Sequence, residues 1–277
     1  MSPHTCMAVI NNDQLLYLSN GKIHLYLEDF NTWHIFESDV PSHMICVDKG
    51  KGMYKMDVNK EIWEYNTAKS RWINISIDGN PDSERSETQS ILASNGQIYQ
   101  LQVDGAIWVY DAPAGKWETL DPKSQKKRCI AADGIGKLYQ LHMNGSIWQY
   151  NGPRVKGWTI VDNPCITNKL VAGAGGAYLT HADGATFKFD DGRKAWDCID
   201  RNALMLQNAV GRAGLFQRHK DKVLRYSGNA GVWTPVPNDP TDDLVVGDST
   251  VYVKHPDGRV SKYRNSPCNW FKLPPVP

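Results

Sequence analysis

The sequence lacks the features that would tie it to a membrane, a nucleic acid or a familiar catalytic chemistry. No apolar run approaches the roughly 20 residues of a membrane span. The opening Met1-Ser2-Pro3-His4-Thr5-Cys6 has neither the charged nor the apolar stretch of a signal peptide. An excess of one charge is missing too: 31 Lys and Arg against 30 Asp and Glu leave +1, so no broad basic surface is on offer to a phosphate backbone. The expectation is a cytoplasmic protein that engages neither membrane nor nucleic acid. Six cysteines, Cys6, Cys46, Cys129, Cys165, Cys198 and Cys268, include no close CxxC pair, which favours free thiols over a disulfide framework. No Gly-x-Ser-x-Gly elbow, zinc-protease motif or calcium loop occurs. Gly173-Ala174-Gly175-Gly176 has the composition of a phosphate loop, but no helix follows to receive an anion, so it reads as a turn. Neither a cofactor nor a metal is expected.

What is present is a core and a repeat. The 277 residues are 41% hydrophobic and 22% charged, a balance that suits a globular protein. Ten residues are tryptophan. Seven of them, Trp33, Trp72, Trp117, Trp158, Trp196, Trp233 and Trp270, follow at steps of 39, 45, 41, 38, 37 and 37 residues. Each lies downstream of an aromatic that opens a matching phrase: Tyr17, Tyr54, Tyr99, Tyr139, Tyr178, Phe216 and Tyr252. Trp63, Trp108 and Trp148 form a second column of the same repeat, and a short apolar run precedes each leading aromatic. Four short segments per unit, separated by Asn-Gly, Asp-Gly or Gly-rich turns, are the mark of antiparallel hairpins.

A period near 40 with four strands predicts an all-β, seven-bladed β-propeller. It is expected to be one domain over residues 1–277, with blades at about 4–38, 39–78, 88–121, 128–162, 168–200, 207–237 and 242–273. The first and last blades should close without a shared strand. The Trp and Tyr columns are expected to be the wedge between neighbouring blades, because large flat side chains fill the widening gap between sheets.

The phrase Tyr139-Gln140-Leu141-His142 through Gly145-Ser146-Ile147-Trp148 and Tyr150, followed by Gly157-Trp158, resembles the repeat of fungal and bacterial tectonin-type propellers. That group includes sugar-binding lectins of mushrooms and moulds. The resemblance runs over the chain as seven copies and is closest in blades two to four. It implies the propeller fold and, by analogy, carbohydrate binding.

Candidate site residues come from one column. Three positions after each leading aromatic stands Asn20, Asp57, Gln102, His142, His181, His219 or His255, beside the turn between the second and third strands. His4 and His43 precede the first strands of blades one and two, so six of the eight histidines are expected on one face. One reading is that the column residue bonds its own turn. The other is a polar ring that binds a hydroxyl-rich ligand or moves protons. The longest connection, residues 77–90, adds Arg85; Lys123 to Arg128 and Arg201-Asn202 occupy other connections. Ligand-binding candidates are therefore His142, His181, His219, His255, Gln102, Asp57, His4, His43 and Arg85, with no catalytic residue assigned.

The leading expectation is a carbohydrate-binding, lectin-like propeller with a glycan as partner. The alternative is a cofactor-free enzyme with one pocket for a small organic molecule. It would be a cyclase, isomerase or pericyclase such as a hetero-Diels-Alderase, working through shape and a few hydrogen bonds. A protein-interaction scaffold is a third possibility.

Overall fold

The structure is a computed structural model, and it describes residues 7–10, 13–36, 40–48, 52–76, 86–122, 126–152, 157–163, 167–202, 204–236, 241–265 and 268–277. It is all-β: seven antiparallel sheets of four strands, each made of consecutive strands in sequential order, form the blades of a β-propeller. A 3-10 turn at Glu28–Phe30 interrupts the last hairpin of blade one. The strands run over residues 7–36, 42–74, 88–121, 127–162, 167–201, 207–236 and 243–272 in blades one to seven. By their contacts the residues group into two compact units, Met1–Cys129 and Ile130–Pro277.

One cross-strand pair recurs in every blade. The outer-strand tryptophan lies directly opposite an aromatic on the third strand: Tyr26 and Trp33, Tyr65 and Trp72, Tyr110 and Trp117, Tyr150 and Trp158, Phe189 and Trp196, Tyr226 and Trp233, Tyr263 and Trp270. Their ring centroids are 4.8 to 5.3 Å apart. Such pairs contribute about 0.5–1.5 kcal/mol beyond the area they bury.

The outer tryptophans also join blades. In the first unit, Trp72 packs on the core between blades one and two, with Leu16, Ile23 and Ile45. Trp117 packs with Tyr54, Met56, Ile91 and Ile98 between blades two and three, and its indole N–H donates to the Ile75 carbonyl of blade two. In the second unit, Trp233 packs with Tyr178, Ile199 and Leu215 between blades five and six. Trp270 does the same with Phe216, Val246 and Val251 between blades six and seven. Trp196 Nε1 donates to the Val161 carbonyl of blade four at 3.0 Å.

Two of the three third-strand tryptophans behave differently, which corrects the expectation of one wedge role for all. Trp63 Nε1 donates to Asp57 Oδ2 at 3.0 Å, and Trp148 stacks on His142 and donates to Ser146 Oγ at 3.1 Å. These two serve the turns of their own blades. Gly173-Ala174-Gly175-Gly176 is the expected turn, linking the strands Thr167–Gly173 and Gly176–His181. Glycine is needed where blades converge. A Cβ on Gly134 would stand 2.5 Å from the Ala174 Cα, and one on Gly211 would stand 2.5 Å from the Val246 carbonyl oxygen.

At the start of the first strands of blades two, three and four, a polar group stitches the chain to the second-to-third turn of the preceding blade. In the first unit, Ser42 N donates to Gly21 O at 2.7 Å and Thr88 Oγ1 to Lys60 O at 3.0 Å. Lys127 Nζ donates to Gly105 O. The Lys127 side chain is fully buried and also pairs with Asp121 at 2.9 Å, whose side chain is 14% exposed. Removing one partner of such a pair strands the other charge. Lys127→Met is therefore expected to cost about 3 kcal/mol in chemical denaturation, with Asp121→Asn added to it recovering part of the loss. A loss under about 0.5 kcal/mol would remove Lys127 as the stitch.

Candidate functional site

The turn between second and third strands is built the same way in four blades. Asp104, Asn144, Asp183 and Asp257 each accept, through the side-chain oxygen, the backbone N–H two residues on, at 2.9 to 3.0 Å. A glycine at positive φ lies between, at Gly105, Gly145, Gly184 and Gly258. A short polar acceptor followed by a residue free of Cβ closes the turn without help from elsewhere. In blade two, Lys60 holds the positive-φ position. There Asp57 itself supplies the acceptor, taking N–H groups from Asn59 at 2.8 Å and Glu61 at 3.0 Å while its other oxygen receives Trp63.

The structure places the column residues at the head of these turns, facing their own third strands. Asp57 is fully buried, and Gln102 is half-buried with its backbone N–H closing the turn on Ala106 O at 2.9 Å. In the second unit, His142 is 5% exposed and stacks on Trp148 at 5.6 Å and 22°. His181 is half-buried against Phe187, with centroids 4.5 Å apart. His219 is 2% exposed and its Nε2 faces Gln217 Oε1 at 3.3 Å. His255, 3% exposed, meets Ser261 Oγ at 2.8 Å through Nε2. His43 is half-buried at the bulge between Ser42 and Met44 in the first strand of blade two. His4 and Arg85 fall outside the described residues. The polar column is thus one position per blade, and its members are engaged chiefly within their own blades.

His219 has the most distinctive surroundings. Gln217 Nε2 donates to Thr186 Oγ1 of blade five at 3.3 Å, which turns Gln217 Oε1 toward His219. Burial, then the Lys222 charge, lower the His219 pKa; Asp200, Asp221 and the Leu204 backbone act in the opposite direction.

Sequence reasoning overlooked the position next to the column. Val58, Val103 and Met143, each the first residue of its turn, are 52%, 48% and 57% exposed. The signal was visible as an apolar residue inside an otherwise polar turn, in Val58-Asn59-Lys60, Val103-Asp104-Gly105 and Met143-Asn144-Gly145. The connection into blade six was singled out for Arg201 and Asn202, and its apolar residues prove more exposed. Asn202 Oδ1 accepts the Leu204 N–H at 3.1 Å and shapes the bend. Leu204 and Leu206 are 75% and 44% exposed.

Beside them are two cations that the sequence pattern did not mark. Lys169 Nζ donates to Leu206 O at 2.6 Å, and Leu206 N donates to Arg218 O at 2.8 Å. Arg218 donates through Nε to Gln207 Oε1 at 3.1 Å and through Nη1 to Thr241 O at 2.8 Å. Among the described residues, no group of three or more His, Cys, Asp or Glu side chains is placed to hold a metal, and no helix is long and apolar enough to cross a membrane. Cys46 and Cys198 are free thiols, and both, like Cys129, are half-buried.

No protein-family model matches the chain. No curated protein matches it either. The tectonin-type resemblance therefore rests on the repeat phrases alone. Solved structures agree on the fold. PorZ, a surface component of the type-IX secretion system of Porphyromonas gingivalis, superposes with a TM-score of 0.74 at 15% identity, covering 100% of this chain. This chain spans only 39% of that protein's length. YCF48 bound to D1 peptide gives a TM-score of 0.68 at 14% identity over 95% of this chain and 93% of that one. Prp20p of Saccharomyces cerevisiae, described with its binding to Gsp1p and histones, gives 0.67 at 10% identity over 84% and 75%. At these identities the likeness shows the propeller and leaves the ligand open.

Because the folded state holds His219 below its ordinary pKa, its neutral form favours folding. That contribution is complete above the unfolded value near 6.5 and is lost as pH falls through the folded value. Stability should fall below pH 6.5 with a slope from this residue of at most about 1.4 kcal/mol per pH unit. His219→Gln should flatten the profile measured by denaturant unfolding. An unchanged slope in that variant would remove His219 from the acid response.

Proposed function

We propose that the chain is a binding module that holds a segment of another protein against its second-to-third-strand turns and neighbouring blade connections. The observation that carries this reading is the exposed apolar residue recurring at one turn position, Val58, Val103 and Met143. Each turn is already closed by its own acceptor and backbone hydrogen bonds, so these side chains contribute little to the fold. A single exposed apolar residue is ordinary, but repetition at one position, at Val58 and Val103 in the first unit and at Met143 in the second, supports a contact role for these turns taken one by one. Solved propellers supply precedent for such partners, in the D1 peptide of YCF48 and in Gsp1p and histones for Prp20p.

A carbohydrate ligand, the reading suggested by the repeat phrases, would depend on outward-facing hydrogen-bonding groups. The column residues described above bond or stack chiefly on their own blades, which favours the polypeptide.

The test is a random peptide display library and a glycan array probed in parallel with the wild-type chain and a Val58→Ser, Val103→Ser, Met143→Ser variant. Enrichment of peptides carrying apolar residues is expected, with binding at least about tenfold weaker in the variant, since burying one such side chain is worth about 1.5 kcal/mol or more. Glycan binding that the variant retains, with no peptide enriched, would overturn the proposal.

A further inference from the structure

The connection into blade six is met by an exposed lysine that no carboxylate among the described residues pairs. Lys169 lies on the first strand of blade five, Thr167–Gly173, and reaches across to the Leu206 carbonyl at 2.6 Å. An ammonium has three donors, and this carbonyl takes one. Among the described residues, no carboxylate lies within ion-pair distance of Lys169. The charge that does reach it is the Arg218 guanidinium, which, after burial, lowers the Lys169 pKa further. Arg218 is itself lowered by burial, a change opposed by Asp243 and Asp242.

Asp243 is engaged with Gln207 Nε2 at 2.8 Å and with its neighbour's N–H, Leu244 N, at 2.8 Å. Asp243 of blade seven is thus engaged with Gln207 of blade six and with its own strand. An exposed ammonium with donors to spare, near a second cation, is stabilised when an anion joins it. Lys169 is exposed, as are Arg201, Lys220 and Lys222 nearby in sequence, with Asp221 the exposed acid among them.

We infer that Lys169, with Arg218 behind it, is a carboxylate-binding subsite, and that the segment recognised beside Leu204 and Leu206 carries an acidic residue next to apolar ones. This inference rests on the polypeptide-binding reading and names the chemistry of its partner. Leu204 and Leu206 provide exposed apolar area, and the Lys169 amine donates to the Leu206 carbonyl beside it. An acidic side chain flanked by leucine-like residues satisfies both at once. Its charge should add to on-rate and selectivity as well as affinity, and salt should weaken it.

Two matched probes test it, acetyl-Leu-Glu-Leu-amide and acetyl-Leu-Gln-Leu-amide, followed through the side-chain NMR signals of lysine together with a titration of free acetate. The wild-type chain is expected to bind the Glu peptide at least fivefold more tightly than the Gln peptide at low salt. The Lys169 signal should shift saturably with the Glu peptide and with acetate. Lys169→Gln should abolish the preference. Lys116→Gln, which removes an exposed lysine paired with Glu118 at 3.1 Å, should leave it intact.

Equal affinity for the two peptides, or a Glu preference that survives in Lys169→Gln, overturns the subsite while leaving polypeptide binding standing. Saturable acetate binding at Lys169 with no peptide bound supports the subsite and removes the polypeptide reading. Silence of all three probes at Lys169 overturns the subsite.

Discussion

The packing of one aromatic pair per blade is the constraint on which everything else depends. Each outer-strand tryptophan faces a tyrosine or phenylalanine of its own third strand. Several then pack against the preceding blade, and Trp117 and Trp196 also hydrogen-bond its carbonyls. A twisted four-stranded sheet has two faces to cover and little chain with which to cover them. Large, flat rings meet that need with one residue per repeat. The same need explains why the spacing of these residues tolerates insertions in connections but keeps the strand phrases intact.

With the blades joined by that packing, the turns between second and third strands are relieved of any structural duty beyond closing themselves. Their closure is local, through an Asp or Asn acceptor and a glycine, or through Asp57 where glycine is absent. The column residue ahead of the turn is absorbed by the third strand opposite it. Outward-facing turn positions are then free to vary, and three of them carry Val58, Val103 and Met143.

The junction of blades five and six concentrates what is unusual in the second unit. His219 is buried with its pKa lowered, the Lys169 amine donates to the Leu206 carbonyl while the Leu206 N–H donates to the Arg218 backbone, and Leu204 is exposed. In blades two to four the first strand begins with a neutral stitch, Ser42 or Thr88, or with Lys127 paired to Asp121. Lys169 instead reaches the connection into the next blade, and among the described residues no carboxylate pairs with it.

The sequence by itself determined the seven blades, their four strands, the turn chemistry and the identity of the tryptophan columns. Each follows from periodicity and local rules that hold along the chain. The sequence left the column two roles, turn-bonding or ligand-facing, and Asp57 takes the first. What the tertiary structure alone decided is which polar groups are already partnered. Lys127 and Lys169 look alike in sequence, each near the start of a first strand, yet one is buried against Asp121 and the other is exposed beside Arg218. Those partners lie 6 and 49 residues away, brought close by the packing of one sheet on the next, and no local pattern encodes that contact.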